Sequence, residues 1–285
     1  MLAWCENGQF AGSVSGGCIE DDLLREFAQK MPDNVEVKEY GVSREQAESR
    51  GLPCGGRLKI VIEPLTQADD SARLLSTVAK QGSIKRSLHL ASGAVSHEEA
   101  AVGTQIALTD EYFHNVFEAD WRLLIIGAGE LAQFVDQFAR ALGFATLVCD
   151  PRENYRESWP HPQTSVDGAM PDDFIEASQC DERTAIVALT HDPKIDDMAI
   201  LTALESQAFY VGALGSRRTT AAREKRLREH FDVSEQSLAA LHGPIGVDLN
   251  TRNAAEIALG VITEIVATRN GVSLRSERKS ELDAG

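Results

Sequence analysis

The spacing of apolar and polar positions changes character near residue 118. Before it, short alternating runs such as "VEVKEY" and "RLKIVIEPL" are set between polar stretches, with helix-like segments beginning near Gly17 and near Asp69. Period-two alternation puts one face of a strand in a core and the other in water, so this part reads as a small α+β domain. From Trp121 onward, near-continuous apolar runs alternate with amphipathic stretches: "RLLIIG", "ELAQFVDQFARAL", "FATLVCD", "TAIVAL", "DDMAILTALES", "FYVGAL", "TTAAREKRLREHF" and "AAEIALGVITEIVATR". Strands apolar on both faces, with helices between them, predict a parallel sheet covered on both sides. The expected class is α/β. A small α+β domain over 1–118 precedes a doubly wound parallel-sheet domain over 119–271, and a polar tail closes the chain over 272–285. The joining stretch "ALTDEYFHNVFEAD" carries a strand-like segment around Phe113 to Phe117.

The first strand of the second domain runs into "GAGELA", with Gly127, Gly129 and Ala132 in G-x-G-x-x-A spacing at the start of a helix. In that context Gly127 permits a tight turn, Gly129 lets a pyrophosphate approach the backbone, and Ala132 keeps helix and strand close. Asp150 ends the next strand, where an acidic side chain can accept from a ribose hydroxyl. These features make the domain Rossmann-like. A doubly wound sheet without a nucleotide would carry the same glycines for packing alone.

Ligands of open parallel sheets bind outside the carboxyl ends of the strands. His191 and Asp192 follow "TAIVAL", expected as the third strand, and Gly215, Ser216, Arg217 and Arg218 follow "FYVGAL", expected as the fourth. Ser216 can cap the next helix while the two arginines grip an anion. Asp248 lies in "GPIGVDLN", ahead of the last long helix. Taken singly, the histidine reads equally as a helix neighbour and the arginines as a solvated face; their shared rim favours a site.

Composition narrows the partners. A formal net charge of −16 repels a phosphate backbone and argues against nucleic acid. No apolar run reaches the ~18–20 residues of a bilayer span, and the N-terminus lacks a basic region before an apolar one, so a cytoplasmic protein is expected. The five cysteines, Cys5, Cys18, Cys54, Cys149 and Cys180, are odd in number and show no C-x-x-C pair, which argues against a disulfide framework or a zinc ribbon, and no metal ligand set is assigned.

In order along the chain, "GSVSGGCIE", "PCGGRLKIVIEPL", "LLIIGAGELA", "LTHD", "YVGALGSRRT" and "PIGVDLNTRNAAEIALGVITEIVA" resemble the XdhC/CoxI family over nearly the whole length. The resemblance implies a maturation factor for molybdenum hydroxylases such as xanthine dehydrogenase. Such a protein binds the molybdenum cofactor (molybdopterin or its dinucleotide form), supports its sulfuration and delivers it to the apo molybdoenzyme, with a cysteine desulfurase as sulfur source. It implies a chaperone rather than a turnover enzyme. The family's thiol motifs fall on Cys18 and Cys54, its nucleotide turn on Gly127 and Gly129, and its rim motifs on His191, Asp192, Arg217, Arg218 and Asp248. The chain departs from the pattern in two places. It starts almost at the first thiol motif, so a preceding strand and loop are expected to be missing. Asn250 and Ala255 replace a usual glycine and proline.

A soft thiolate suits molybdenum or sulfur transfer better than oxygen ligands do. Cys18 is expected in the first turn of a helix, whose positive end favours a thiolate while Glu20, Asp21 and Asp22 oppose it. Cys54 has adjacent glycines, the cation Arg57 and no acid within three positions, which makes it the better reactive thiol. Each could equally be a small buried hydrophobe. Two other readings stand beside the maturation factor. One is an NAD(P)-dependent oxidoreductase using Gly127, Gly129 and Asp150 for the dinucleotide and His191 as proton donor. The other is a Rossmann domain kept as an interaction scaffold. A homodimer is expected, because an interface would shield a labile cofactor.

Overall fold

The computed structural model describes residues 1–5, 7–15, 19–41, 57–65, 68–79, 82–101 and 104–274. The chain divides into two compact units, Met1–Ala119 and Asp120–Gly285.

The first unit is built from small antiparallel sheets. Strands β1 (Leu2–Trp4) and β2 (Phe10–Gly12) pair with each other, as do β3 (Glu36–Tyr40) and β4 (Leu58–Ile62). Strands β5 (Ser83–His89), β6 (Val95–Glu99), β7 (Ala107–Leu108) and β8 (Tyr112–Glu118) form a sheet in the order β6-β5-β8-β7. Helices α1 (Glu20–Gln29) and α2 (Ala68–Ala79) belong to the same unit. Leu23 of α1 packs with Ile19, Tyr40, Ile60 and Ile62, so the alternation read in "VEVKEY" and "RLKIVIEPL" supplies the face that meets the helix.

Helix α1 is described from Glu20; Cys18, expected in the first helical turn, lies outside the described residues. The buried Glu20 carboxylate turns back onto the preceding loop and accepts from the Ser13 hydroxyl (2.5 Å), the Val14 and Ser15 amides (2.9 Å each), the Ser15 hydroxyl (2.5 Å) and the Ile19 amide (3.2 Å). Those bonds, the Ser13 and Ser15 hydroxyls foremost, hold its pKa far below the usual 4.5. A carboxylate whose folded pKa is depressed stabilises the fold above its unfolded pKa and ceases to do so as pH falls through the folded value. The first unit should therefore lose stability progressively below pH ~4.5. Glu20→Gln should cost ~2 kcal/mol or more at neutral pH and flatten that dependence, as read by urea unfolding across pH.

The second unit runs β9 (Arg122–Ile126), α3 (Glu130–Ala141), β10 (Ala145–Cys149), α4 (Glu153–Glu157), β11 (Val166–Asp167), α5 (Pro171–Ala177), β12 (Thr184–Ala188), α6 (Pro193–Glu205), β13 (Tyr210–Ala213), α7 (Arg217–Phe231), α8 (Glu235–Ala240), β14 (Leu241–His242) and α9 (Ala254–Arg269). Its six strands are parallel, in the order β11-β10-β9-β12-β13-β14. This is a Rossmann sheet with its switch point between β9 and β12. The strands expected as third and fourth are the fourth and fifth, because β11 has only two residues and shows no apolar run.

Alternate residues of each strand face opposite layers. Leu123, Ile125 and Val187 meet Val135 of α3 and Val261 of α9, while Leu124, Ile126 and Ile186 meet Ile175 of α5, Ile200 of α6 and Leu227 of α7. Two buried carboxylates pin the helices of the first layer. Asp136 of α3 accepts from Thr146 (2.6 Å), Thr164 (3.0 Å) and Arg140 (3.1 Å) and is 2.7 Å from His161 Nδ1. Glu264 of α9 accepts from the Tyr210 hydroxyl and the Gly246 amide, each at 2.7 Å.

Candidate functional site

Four loops lie at the carboxyl edge of the neighbouring strands β10, β9, β12 and β13, and the expected rim residues sit on them or in the helix turns they lead into, except Asp248, which follows β14. Gly127 leaves β9 at φ +108°. A Cβ there would lie 3.0 Å from Thr190 Cγ2 and 3.2 Å from the Leu189 carbonyl carbon, so conformation and packing against the end of β12 both require glycine. Gly129 is different. It caps α3, and a Cβ on it would meet only Tyr155 Cε1, at 3.9 Å. Its missing side chain leaves space on the open side of the turn, as a ligand's approach requires. Ala132 is buried between α3 and the sheet, which is a packing role.

The open space makes a direct prediction. Gly129→Leu should fold with the stability of the unsubstituted chain and lose ligand binding at least ~100-fold, as measured by titrating the purified variant. Undiminished affinity would put the ligand elsewhere.

Asp150 is at the end of β10, as expected, but its carboxylate is fully buried and engaged. Oδ2 accepts from the Ala128 amide (2.8 Å) and from Arg152 Nη2 (2.8 Å), and Oδ1 from Arg152 Nε (2.9 Å) and the Arg152 amide (3.0 Å). Four donors fill the roughly four acceptor positions of a carboxylate. The ribose contact expected of Asp150 therefore has no acceptor in this arrangement. Although burial alone would raise the pKa of Asp150, these bonds keep it lowered, and the bond to Asp150 raises that of Arg152.

His191 follows β12 with φ +63° and is exposed. A left-handed histidine carries local strain, which the surrounding bonds hold in place. The Asp196 carboxylate accepts from the Thr190 amide (3.1 Å) and hydroxyl (2.7 Å), and the Thr190 hydroxyl accepts from the Asp192 amide (3.0 Å). Asp192 itself caps α6, accepting from the Lys194 amide at 2.9 Å. Its assigned ligand contact would be shared with a capping role.

After β13, Gly215 leaves little room, since a Cβ would lie 3.3 Å from Thr219 Cβ. Ser216 caps α7, accepting from the Thr219 amide at 3.1 Å. Arg217 and Arg218, in the first turn, are exposed, and no hydrogen bond or ion pair among the described residues holds either. Two unpaired cations at a helix N-terminus oppose the helix dipole unless an anion joins them.

Asp248 is exposed and accepts from the Asn250 amide at 2.9 Å, closing a turn in which Asn250 has φ +52°. Asparagine tolerates that left-handed conformation, which accounts for its standing where a glycine is usual. Asn253 caps α9 by accepting from the Ala255 and Glu256 amides, and a proline at position 255 would lack the first of these donors.

Cys18 and Cys54 lie outside the described residues. Cys149 is fully buried, donates to the Ala169 carbonyl at 3.2 Å, and has its thiol pKa pushed up to about 12 by burial, so it is an inert core thiol. Among the described residues no group of three or more His, Cys, Asp or Glu could hold a metal ion, and no helix is long and apolar enough to cross a membrane.

The residues that sequence reasoning missed are those supporting the rim. Arg223 of α7, buried, donates to Asp196 Oδ2 (3.3 Å), Asp197 Oδ1 (3.1 Å) and the Leu214 carbonyl (3.1 Å), tying α6 to the β13–α7 loop. Arg226 adds two bonds to Asp197. Burial raises the pKa of Asp196 despite its Thr190 bonds and Arg223. The available signal was the acidic pair in "KIDDM" and the basic spacing of "REKRLRE", both of which also fit solvated helix faces.

The family model described as the XdhC Rossmann domain matches residues 123–265. Over 271 residues the chain is 26% identical to the molybdenum cofactor insertion chaperone PaoD of Escherichia coli, covering 93% of this chain and 76% of that protein. It is 24% identical to a probable xanthine dehydrogenase subunit of Bacillus subtilis, covering 94% of this chain and 87% of the relative. The uncharacterized Escherichia coli protein YqeB is 29% identical over 93% of this chain, which spans 39% of YqeB. The crystal structure of a xanthine dehydrogenase from Bacillus halodurans superposes with a TM-score of 0.74 at 21% identity, over 97% of this chain and 88% of that one, a likeness of fold.

Proposed function

The chain belongs to the XdhC family, and from that membership we propose that it binds the molybdenum cofactor and hands it to a molybdoenzyme of xanthine dehydrogenase type. The observation that carries this reading is the rim of the Rossmann sheet. An open glycine turn at Gly129 and the unpaired cations Arg217 and Arg218 lie on the same strand-end edge, an arrangement suited to an extended anionic ligand. His191, Asp192 and Asp248 border that edge and supply polar contacts to the pterin. The relative named as a cofactor insertion chaperone supports the same role.

In this reading the protein acts as a carrier in the cytoplasm, as a homodimer, and supports sulfuration of its cargo with a cysteine desulfurase as sulfur source. Cys54, with Cys18 second, supplies the thiol that meets molybdenum or the incoming sulfur.

The experiment purifies the protein from cells that make molybdopterin and measures bound molybdenum, pterin fluorescence and bound NAD. Near-stoichiometric molybdenum and pterin without NAD is the expected result. Cys54→Ala should retain the fold, hold less molybdenum and leave the recipient enzyme largely unsulfurated, with Cys18→Ala weaker in the same direction. A protein that carries no pterin from such cells would overturn the assignment.

A further inference from the structure

The glycine turn predicts a dinucleotide, and the residue on which that prediction depends is occupied from within the chain. In a dinucleotide-binding Rossmann domain the acidic side chain ending the second strand accepts from a ribose hydroxyl. Here that residue, Asp150, is 0% exposed and takes three of its four hydrogen bonds from Arg152. The guanidinium Nε and Nη2 lie along the carboxylate as a two-pronged pair, a geometry in which arginine keeps most of its bonding strength in little space. The other face of Arg152 rests on the Tyr155 ring, 3.8 Å from its centroid. Tyr155 is in turn the residue nearest the open side of Gly129. A side chain held by a buried carboxylate beneath and an aromatic ring beside it has little freedom to withdraw when a ribose arrives.

We propose that Arg152 is a specificity-determining residue that closes the ribose subsite of the glycine turn, so that the crevice refuses nicotinamide dinucleotides and takes a phosphate-bearing ligand anchored without a ribose diol. A ribose could reach Asp150 only by displacing Arg152 from two charge-assisted bonds and from its ring, and it would return weaker neutral bonds in exchange. The phosphate position at Gly129 stays open beside this closure, since a Cβ there would meet only Tyr155 Cε1, at 3.9 Å. Asp192, from the neighbouring loop, adds a second negative charge acting on Arg152 and favours its staying in place. The proposal rests on the reading that this crevice is the cofactor site, and it names the ligand class that the site accepts.

Substitution should open what the arginine closes. NAD⁺ titrated into the full-length wild-type chain by calorimetry should show a Kd no tighter than ~1 mM. Arg152→Ala frees both Asp150 oxygens while leaving the Ala128 and residue-152 amides to hold the carboxylate, and it should bind NAD⁺ at least ~10-fold more tightly. Arg152→Gln, which keeps one donor and much of the packing, should fall between them and guards against a misfolded alanine variant. The double variant Arg152→Ala, Asp150→Asn should lose the gain. Wild-type binding of NAD⁺ in the micromolar range, or an alanine variant that gains nothing while Arg152→Gln also stays blind, would overturn the proposal. Molybdenum retained by the wild-type protein reports separately on the cofactor reading: retention without NAD⁺ gain in the variants sinks this inference alone, whereas absence of molybdenum sinks the reading beneath it.

Discussion

Arg223→Leu should cost the second unit ~3–5 kcal/mol, a larger loss than that expected of Glu20→Gln in the first. The leucine would fill much of the volume, so the loss is not chiefly a cavity. It comes from leaving Asp196, with 0% exposure, without its cation and from unlinking it from Asp197, which keeps Arg226. It also strands the Leu214 carbonyl just ahead of Gly215. Urea unfolding followed by far-ultraviolet circular dichroism should show the midpoint falling by about 1–2 M with the slope little changed. A loss near ~1 kcal/mol would instead mean that Asp196 is protonated in the folded chain, the direction in which burial already pushes it.

The second large effect concerns binding and leaves stability alone. Replacing Arg217 and Arg218 together by glutamine removes two cations that no ion pair among the described residues holds, so the thermal midpoint should stay within about 1–2 °C of wild type. Retention of the cargo should drop steeply. Removing each charge-assisted hydrogen bond to the ligand costs ~1.5–3 kcal/mol, or about 10- to 150-fold in affinity. Molybdenum content after purification and titration with the fluorescent oxidised pterin would both register it. Full retention by the double variant would make the pair a solvated helix end.

The contrast between these two sets of arginines shows what could be read from residues alone. Apolar runs such as Leu123 to Ile126 and Ala185 to Ala188 can only be central parallel strands, because every position in them is buried and both layers of helices need them. The glycine turn was equally legible, since φ +108° at Gly127 and free space at Gly129 are backbone demands that restrict the residue type. Short elements escaped: β11 and β14 have two residues each, too few for any period. Asp150 shows a subtler limit. Its position at a strand end followed from spacing, but the direction of its carboxylate depends on Arg152 folding back two residues later, a choice made by three-dimensional contact. The thiol motifs at Cys18 and Cys54 lie outside the described residues, so their roles rest on the two alanine variants.

The strand order also sets the timing of synthesis. Strand β9 is the centre of the second sheet, yet of its two neighbours only β10 follows promptly; β12, which covers its other edge, begins at Thr184. At ~5–20 residues per second, a ribosome leaves that edge unpaired for several seconds after β9 has emerged. During that interval the bare row of amide and carbonyl groups runs beside Leu123, Leu124, Ile125 and Ile126, an apolar tetrad that is completely buried only in the finished sheet. The nascent chain is thus most prone to aggregate after β9 has emerged and before β12 follows it. Slowing translation between β10 and β12 should raise the insoluble fraction more than slowing it anywhere after Ala188.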